Sequence, residues 1–177
     1  MQIRIFFRTA AAAAVLLFAA CGHSGRPAGP EVLLHTTAGD VRVELDDRTP
    51  RHRDNFLKLT REGFFDSVLF HRVIAGFMIQ AGDPASRRAS AGEMLGDNDA
   101  GYKLPAEIVY PALAHTRGAL AAARWPDEVN PDWESSSSQF YIVWGRTFDD
   151  QTLDRVQERV MAAIGDRGAM PDSLRTL

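Results

Sequence analysis

Two dense apolar runs, Val68 to Ile74 and Phe77 to Gln80, are parted only by Ala75 and Gly76. Short runs of aliphatic and aromatic residues bounded by a turn pair read as two strands joined tightly, so a sheet has to be built around them. The same pattern recurs more weakly. Glu31 to Thr36 and Val41 to Leu45 flank Ala38-Gly39-Asp40 and predict a hairpin, while Leu104 to Val109, Ala119 to Ala123 and Gln139 to Val143 are further strand candidates. Helical spacing is confined to two places. Thr49 before Pro50 predicts an N-cap and a first-turn proline, with Phe56, Leu57 and Leu59 on one stripe until Gly63; Asp149 predicts the cap of a last helix bearing Leu153, Val156, Val160 and Ile164. The polar, Gly-rich stretch Ala85 to Lys103 predicts a long surface loop, and the serine run Ser135 to Ser138 also reads as loop. With 177 residues, 45% hydrophobic and 24% charged, the chain has room for one mainly β globular domain, and disorder throughout is excluded.

The first twenty residues stand outside that domain. Arg4 and Arg8 precede the apolar run Ala10 to Ala20, which is too short to cross a bilayer as a helix and reads as a signal peptide, residues 1–20. It ends in LLFAAC, and this resembles a bacterial lipobox, with Phe18 where Leu is usual and Cys21 as the acceptor of lipid. A sole cysteine forms no intramolecular disulfide, so Cys21 is either a lipidated thiol or an incidental member of the apolar segment. Lipidation would anchor the protein stably without a spanning helix. Gly22, in place of an Asp, favours sorting to the outer membrane over retention at the inner one, facing the periplasm. Residues 21–30, rich in Gly, Pro and Ser, read as a flexible tether. The formal net charge of −3 becomes more negative once Arg4 and Arg8 are removed, which argues against nucleic acid as a partner.

The stretch FHRVIAGFMIQAGDP, Phe70 to Pro84, closely resembles the signature of the cyclophilin family. GALAAAR at Gly118 to Arg124 and SSQFYIV at Ser137 to Val143 are similar to two later family blocks in the same order, and NFLKLTREGFFDS, Asn55 to Ser67, to the first helix and its exit. The resemblance covers residues 31–145 and implies a closed antiparallel β-barrel with capping helices, and peptidyl-prolyl cis/trans isomerase activity that uses no cofactor or metal. GYKLPAEI, ARWPDEVNPDW and the acidic helix after Trp144 look most like bacterial cyclophilin lipoproteins.

Residue by residue, the resemblance makes Arg72 the catalytic donor toward the prolyl nitrogen. Without the motif it would read as half of a surface ion pair. Phe77 and Met78 match the floor and wall of a proline pocket, which plain core would also explain. Gln80 matches a donor to substrate backbone that also orients the arginine. Ala123, Arg124, Gln139 and Tyr141 match groove positions; Tyr141 stands where Phe is common and Arg124 where Asn is. His71 reads as a buried, hydrogen-bonded structural histidine, since the reaction moves no proton. His23, His35, His52 and His115 lack paired ligand spacing, which argues against a metal site.

The family's block resembling LDGxxTVFG and its last helix and strand do not follow SSQFYIV. Residues 146–177 instead resemble a helical insertion of the lipoprotein subgroup, so the barrel is expected to lack its last strands. The expectation is therefore a lipid-anchored isomerase of the cell envelope acting on proline-containing polypeptides. A non-catalytic, chaperone-like proline-peptide binder and a purely adhesive surface lipoprotein are the alternatives.

Overall fold

A computed structural model describes residues 3–6 and 29–164. Cys21, most of the expected tether and residues 165–177 lie outside the described residues. β1 (Ile3–Phe6), from the segment read as a leader, pairs antiparallel with β2 (Glu31–Thr36), which in turn pairs with β3 (Gly39–Glu44). Gly29 and Pro30, the last two tether positions, are held to this hairpin by Gly29 N donating to the Glu44 carboxylate and Leu45 N donating to the Pro30 carbonyl.

α1 (Pro50–Arg61) follows, and its cap differs from the expectation. The Thr49 hydroxyl donates back to the Asp46 carbonyl instead of closing the first turn. Glu107 takes that role from far along the chain, its carboxylate accepting from Arg51 N at 3.1 Å, His52 N at 2.9 Å and the His52 ring at 2.7 Å. A carboxylate at a helix N-terminus satisfies donors that have no intrahelical partner. Drawing Glu107 there also ends β6 early: only Lys103–Leu104 is strand, and the expected continuation to Val109 is not.

β4 (Arg72–Ile74) and β5 (Met78–Ala81) form the expected tight pair, shorter than the apolar runs because Val68 to His71 serve as the approach to it. A 3-10 turn, Pro84–Arg88, opens the long loop. β7 (Leu120–Arg124) and β8 (Ser135–Val143) complete the second sheet, in which β8 is central, bordered by β5, β6 and β7. Ser135 to Ser138 are thus buried strand, not loop. Burial is tolerated because the hydroxyls find partners: Ser138 donates to the Gly82 carbonyl at 2.8 Å, and Ser137 accepts from Ala100 N at 3.0 Å. α2 (Asp150–Ile164) is capped as expected, the Asp149 carboxylate accepting from Thr152 N at 2.8 Å.

The core lies between the two sheets and α1. Val32, Leu34, Val43 and Leu45 meet Phe56, Leu57 and Leu59, with Ala81 and Phe140 from the second sheet. Phe65, 1% exposed, stacks on Phe56 at 4.9 Å and meets Phe140 edge-on at 5.6 Å. The closed barrel implied by the resemblance, which was expected to lack its last strands here, is not closed among the described residues. The two sheets remain separate because neither β3 nor β7 has a strand on its outer edge, and both border a cavity of about 630 Å³.

Candidate functional site

Antiparallel partners project their side chains to the same face of a sheet, and alternate residues along a strand project to opposite faces. Arg72 pairs with Gln80, Gln80 with Tyr141, and Tyr141 with Ala121, so these four share one face. Ala81 and Phe140, paired with each other, share the opposite face and enter the core. One register therefore sorts the second sheet into an apolar side and a side that carries a cation, amides and a phenol.

On that second side a chain of hydrogen bonds runs inward from Arg72. Its Nη1 donates to Gln80 Oε1 at 3.0 Å, Gln80 Nε2 donates to Gln139 Oε1 at 2.8 Å, and Gln139 Nε2 donates to the carbonyls of Gly96 and Asn98 at 2.7 and 2.8 Å. A guanidinium can only donate, so Gln80 must present its oxygen to Arg72 and its NH2 to Gln139; that in turn fixes the Gln139 NH2 on the loop carbonyls. Both glutamines are buried, so the orientation of each amide is set by its neighbours and not by water. Arg72 itself is exposed and makes no ion pair among the described residues, which sets aside the surface ion-pair reading.

The loop that receives Gln139 is tied down by Asp83, a fully buried carboxylate. It accepts from Ala85 N at 2.8 Å, Gly96 N at 2.6 Å and Asn98 Nδ2 at 3.5 Å. Gly82, beside it, has φ +100°, and a Cβ there would run into the Ser138 carbonyl, so the close approach of this turn to β8 needs glycine. The loop is the one expected from the polar, Gly-rich stretch Ala85 to Lys103, but Asp83 was not singled out in the sequence; the signal was an acidic residue closing an apolar run, which by itself reads as a helix or turn cap.

Phe77 is 44% exposed, with its ring 6.0 Å from that of Tyr141, whereas Met78 beside it is 2% exposed. Trp144 N and Gly145 N both donate to the Phe77 carbonyl, at 2.7 and 3.0 Å, which holds the turn before β5 against the end of β8. Met78 borders a second hollow of about 350 Å³ together with Ile74, Val143 and Trp144. The larger cavity includes Gln139 and Tyr141 but neither Arg72 nor Phe77, so it adjoins the cluster from the far side of Tyr141.

Tyr141 is half-buried, and burial pushes its phenol above the ordinary range, partly offset by the charge of Arg124. Its hydroxyl meets His115 Nε2 at 2.7 Å, with the two rings nearly parallel. His115 entered the sequence reading only as a histidine without ligand spacing. Ala123 and Arg124 lie farther along β7, at an irregularity in its pairing with β8, and the Arg124 guanidinium is paired with Asp127 at 2.5 Å and lies over Trp133. The structure thus gathers Arg72, Gln80, Gln139, Tyr141 and Phe77 and leaves the Arg124 side chain outside the group. His71 is buried at both ring nitrogens, as expected; neither makes a hydrogen bond of ordinary geometry among the described residues, and the Leu69 backbone is the polar group that acts on the ring as a weak partner. Desolvation pushes its pKa down, opposed by the charge of Asp83.

Among the described residues no three His, Cys, Asp or Glu side chains are grouped to hold a metal ion. The arrangement is instead a fixed, permanently charged donor beside exposed aromatic surface. Such a donor can stabilise an oxygen or nitrogen lone pair without any proton transfer.

Residues 31–166 match the family model described as cyclophilin type peptidyl-prolyl cis-trans isomerase/CLD. The chain is 37% identical over 139 residues to peptidyl-prolyl cis-trans isomerase-like 3 of Gibberella zeae, covering 77% of each chain, and 34% identical over 134 residues to the protein of that name from Dictyostelium discoideum, covering 75% and 76%. With peptidyl-prolyl isomerase CWC27 of Cryptococcus neoformans it shares 39% over 114 residues, spanning 64% of this chain but 21% of that longer protein. A crystal structure of a cyclophilin type isomerase from Cryptosporidium parvum, determined in the presence of the dipeptide Ala-Pro, superposes with a TM-score of 0.52 at 28% identity, covering 71% of this chain and 83% of the other.

Proposed function

This chain belongs to the cyclophilin-type peptidyl-prolyl cis-trans isomerase family, and we propose that it catalyses rotation about X-Pro bonds, with Arg72 as the electrostatic catalyst. Peptide rotation has a barrier of roughly 18–20 kcal/mol because the nitrogen lone pair is delocalised into the carbonyl, and X-Pro bonds relax over tens to hundreds of seconds unaided. In the twisted state that lone pair is localised and accepts a hydrogen bond. A guanidinium already held in place meets it without reorganising, and a charged donor is worth about twice a neutral one.

The observation that carries this reading is the Arg72–Gln80–Gln139 chain, since it holds the donor on the same face as Tyr141. Phe77 and Tyr141 supply the flanking aromatic surface for the proline ring, Met78 packs beneath the sheet that carries them, and the Ala123–Arg124 backbone is the edge along which substrate lies. Proline-containing polypeptides are the substrates. Protease-coupled isomerisation of a prolyl tetrapeptide, set beside the affinity for the same peptide, tests the proposal. Rate enhancement abolished in Arg72→Ala supports it; binding without rate enhancement in the parent chain selects the non-catalytic, chaperone-like binder instead.

The finer assignments rest on the leader alone. Arg4, Arg8 and the run ending at Cys21 support lipid attachment at Cys21 and a place in the cell envelope, facing the periplasm, as in bacterial lipoprotein members of the family. Incorporation of labelled palmitate into the parent and its loss in Cys21→Ala would bear this out. Closure of the two sheets into a barrel is likewise proposed, by strands seated along the outer edges of β3 and β7.

A further inference from the structure

Loop residues 113–118 contact β8 and the residue that follows it through two side chains spaced two apart: His115 lies against Tyr141, and the Arg117 guanidinium lies over the Trp144 ring at 3.7 Å. The loop is itself held in place. Leu113 N donates to the Val109 carbonyl, Ala119 N to the Thr116 carbonyl, and Gly118 N to the Val143 carbonyl, each at 3.0 Å or less. His115 is thus presented to Tyr141 from a backbone hydrogen-bonded at both ends.

Tyr141 needs that contact more than a phenylalanine at the same position would. Its ring lies on the face shared with Arg72 and Gln80, and its hydroxyl is in a partly desolvated site where an unpaired polar group is costly. The aromatic side chain can satisfy the hydroxyl by swinging toward water or by staying in place if an acceptor or donor is brought to it. The imidazole at 2.7 Å does the second. With the ring nearly coplanar in orientation with His115, at an interplanar angle of 13°, both the hydroxyl and the ring face are held.

We propose that His115 is a positioning residue of the substrate groove, fixing the Tyr141 ring where it meets the exposed Phe77 ring and thereby setting how tightly that joint aromatic surface accepts the proline ring. This rests on the isomerase reading above. The imidazole touches the phenol and not the reacting bond, so its removal loosens substrate binding and leaves the rotation step alone. One hydrogen bond sets the scale: KM for a prolyl tetrapeptide rises about three- to ten-fold in His115→Ala, with kcat within about twofold of the parent.

The test uses the full chain in five forms: parent, His115→Ala, His115→Gln, Tyr141→Phe and the double variant His115→Ala/Tyr141→Phe, each first shown by circular dichroism to keep the parent unfolding midpoint within a few degrees. In the Tyr141→Phe background the hydroxyl is gone and only the ring contact is left for His115 to make, so His115→Ala raises KM by clearly less than it does in the parent. His115→Gln, whose amide can reach the same oxygen, recovers most of the parent KM. Equal KM increments from His115→Ala in both backgrounds, or a loss confined to kcat, overturn the proposal. Should the parent show no turnover, the isomerase reading falls but the pairing is still decided, by peptide affinity. Titration of ring-labelled tyrosine by NMR then shows the Tyr141 signal moving on addition of peptide, with Kd weakened three- to ten-fold in His115→Ala and not further in the double variant. An unshifted Tyr141 signal, or unchanged Kd, overturns it.

Discussion

The two faces of β5 and β8 are made by the same few residues in alternation, yet they are built on opposite principles. On one side Ala81 and Phe140 pack against Phe56, Phe65 and Phe70, where any side chain of similar volume and apolarity would contribute. On the other, Gln80, Gln139 and Arg72 form a chain in which each atom has one admissible role. Apolar packing is tolerant and additive over area; a buried polar chain is directional, and removing one member leaves the others unsatisfied. Stability is therefore expected to reside on the first face and activity on the second.

Four substitutions and conditions probe that division, in falling order of effect. Phe140→Ala, at 3% exposure and touching three other rings, should cost about 3–5 kcal/mol of unfolding free energy in urea titration, because it combines lost burial with a cavity. Any activity deficit should vanish at temperatures where the variant is fully folded. Arg72→Ala should do the reverse: about a hundredfold loss in kcat/KM, or about 2.7 kcal/mol in the barrier, with only a small drop in the unfolding midpoint, because Arg72 is exposed and the one bond lost is that to Gln80 Oε1. A stability loss as large as that of Phe140→Ala would erase the distinction between the faces. Gln139→Leu lies between them. It strands the Gln80 NH2 and the Gly96 and Asn98 carbonyls, so about 1–3 kcal/mol of stability and roughly tenfold in activity should be lost together.

The smallest effect is a pH dependence of stability from His71. Its pKa is lowered in the folded state, chiefly by burial, so the unfolded chain takes up the proton first as pH falls through the ordinary value of 6.5. Stability from the neutral ring is present above that value and is lost as pH falls toward the folded pKa. The unfolding midpoint should accordingly drop between pH 7.5 and pH 5.5, and drop less in His71→Asn. The depressed carboxylates Asp99 and Glu107, held below the usual range by Lys103 and His52 against the cost of burial, act on stability only at lower pH. An equal drop in the variant would assign the slope elsewhere.

The first hairpin, the β4–β5 pair, α1 and α2 were legible from apolar periodicity and turn residues, because those signals act between near neighbours. The candidate site residues came from the resemblance alone; the register places Arg72, Gln80 and Tyr141 on one face, while Arg124 points its charge at Asp127. Three expectations went the other way for one common reason. Ser135 to Ser138 became strand, Thr49 gave up its cap to Glu107, and the strand beyond Leu104 ended, each because the partner of a polar group came from a distant part of the chain.

Local sequence by itself determined which segments are extended, which are helical and where the chain turns, since backbone preference and apolar period are carried by consecutive residues. Only the tertiary structure decided which polar atoms meet. Gln80 and Gln139 are 59 positions apart, and nothing in either neighbourhood states that their amides will touch; the pairing of β5 with β8 brings them together, and with them the orientation of Arg72 and the contact of His115 with Tyr141.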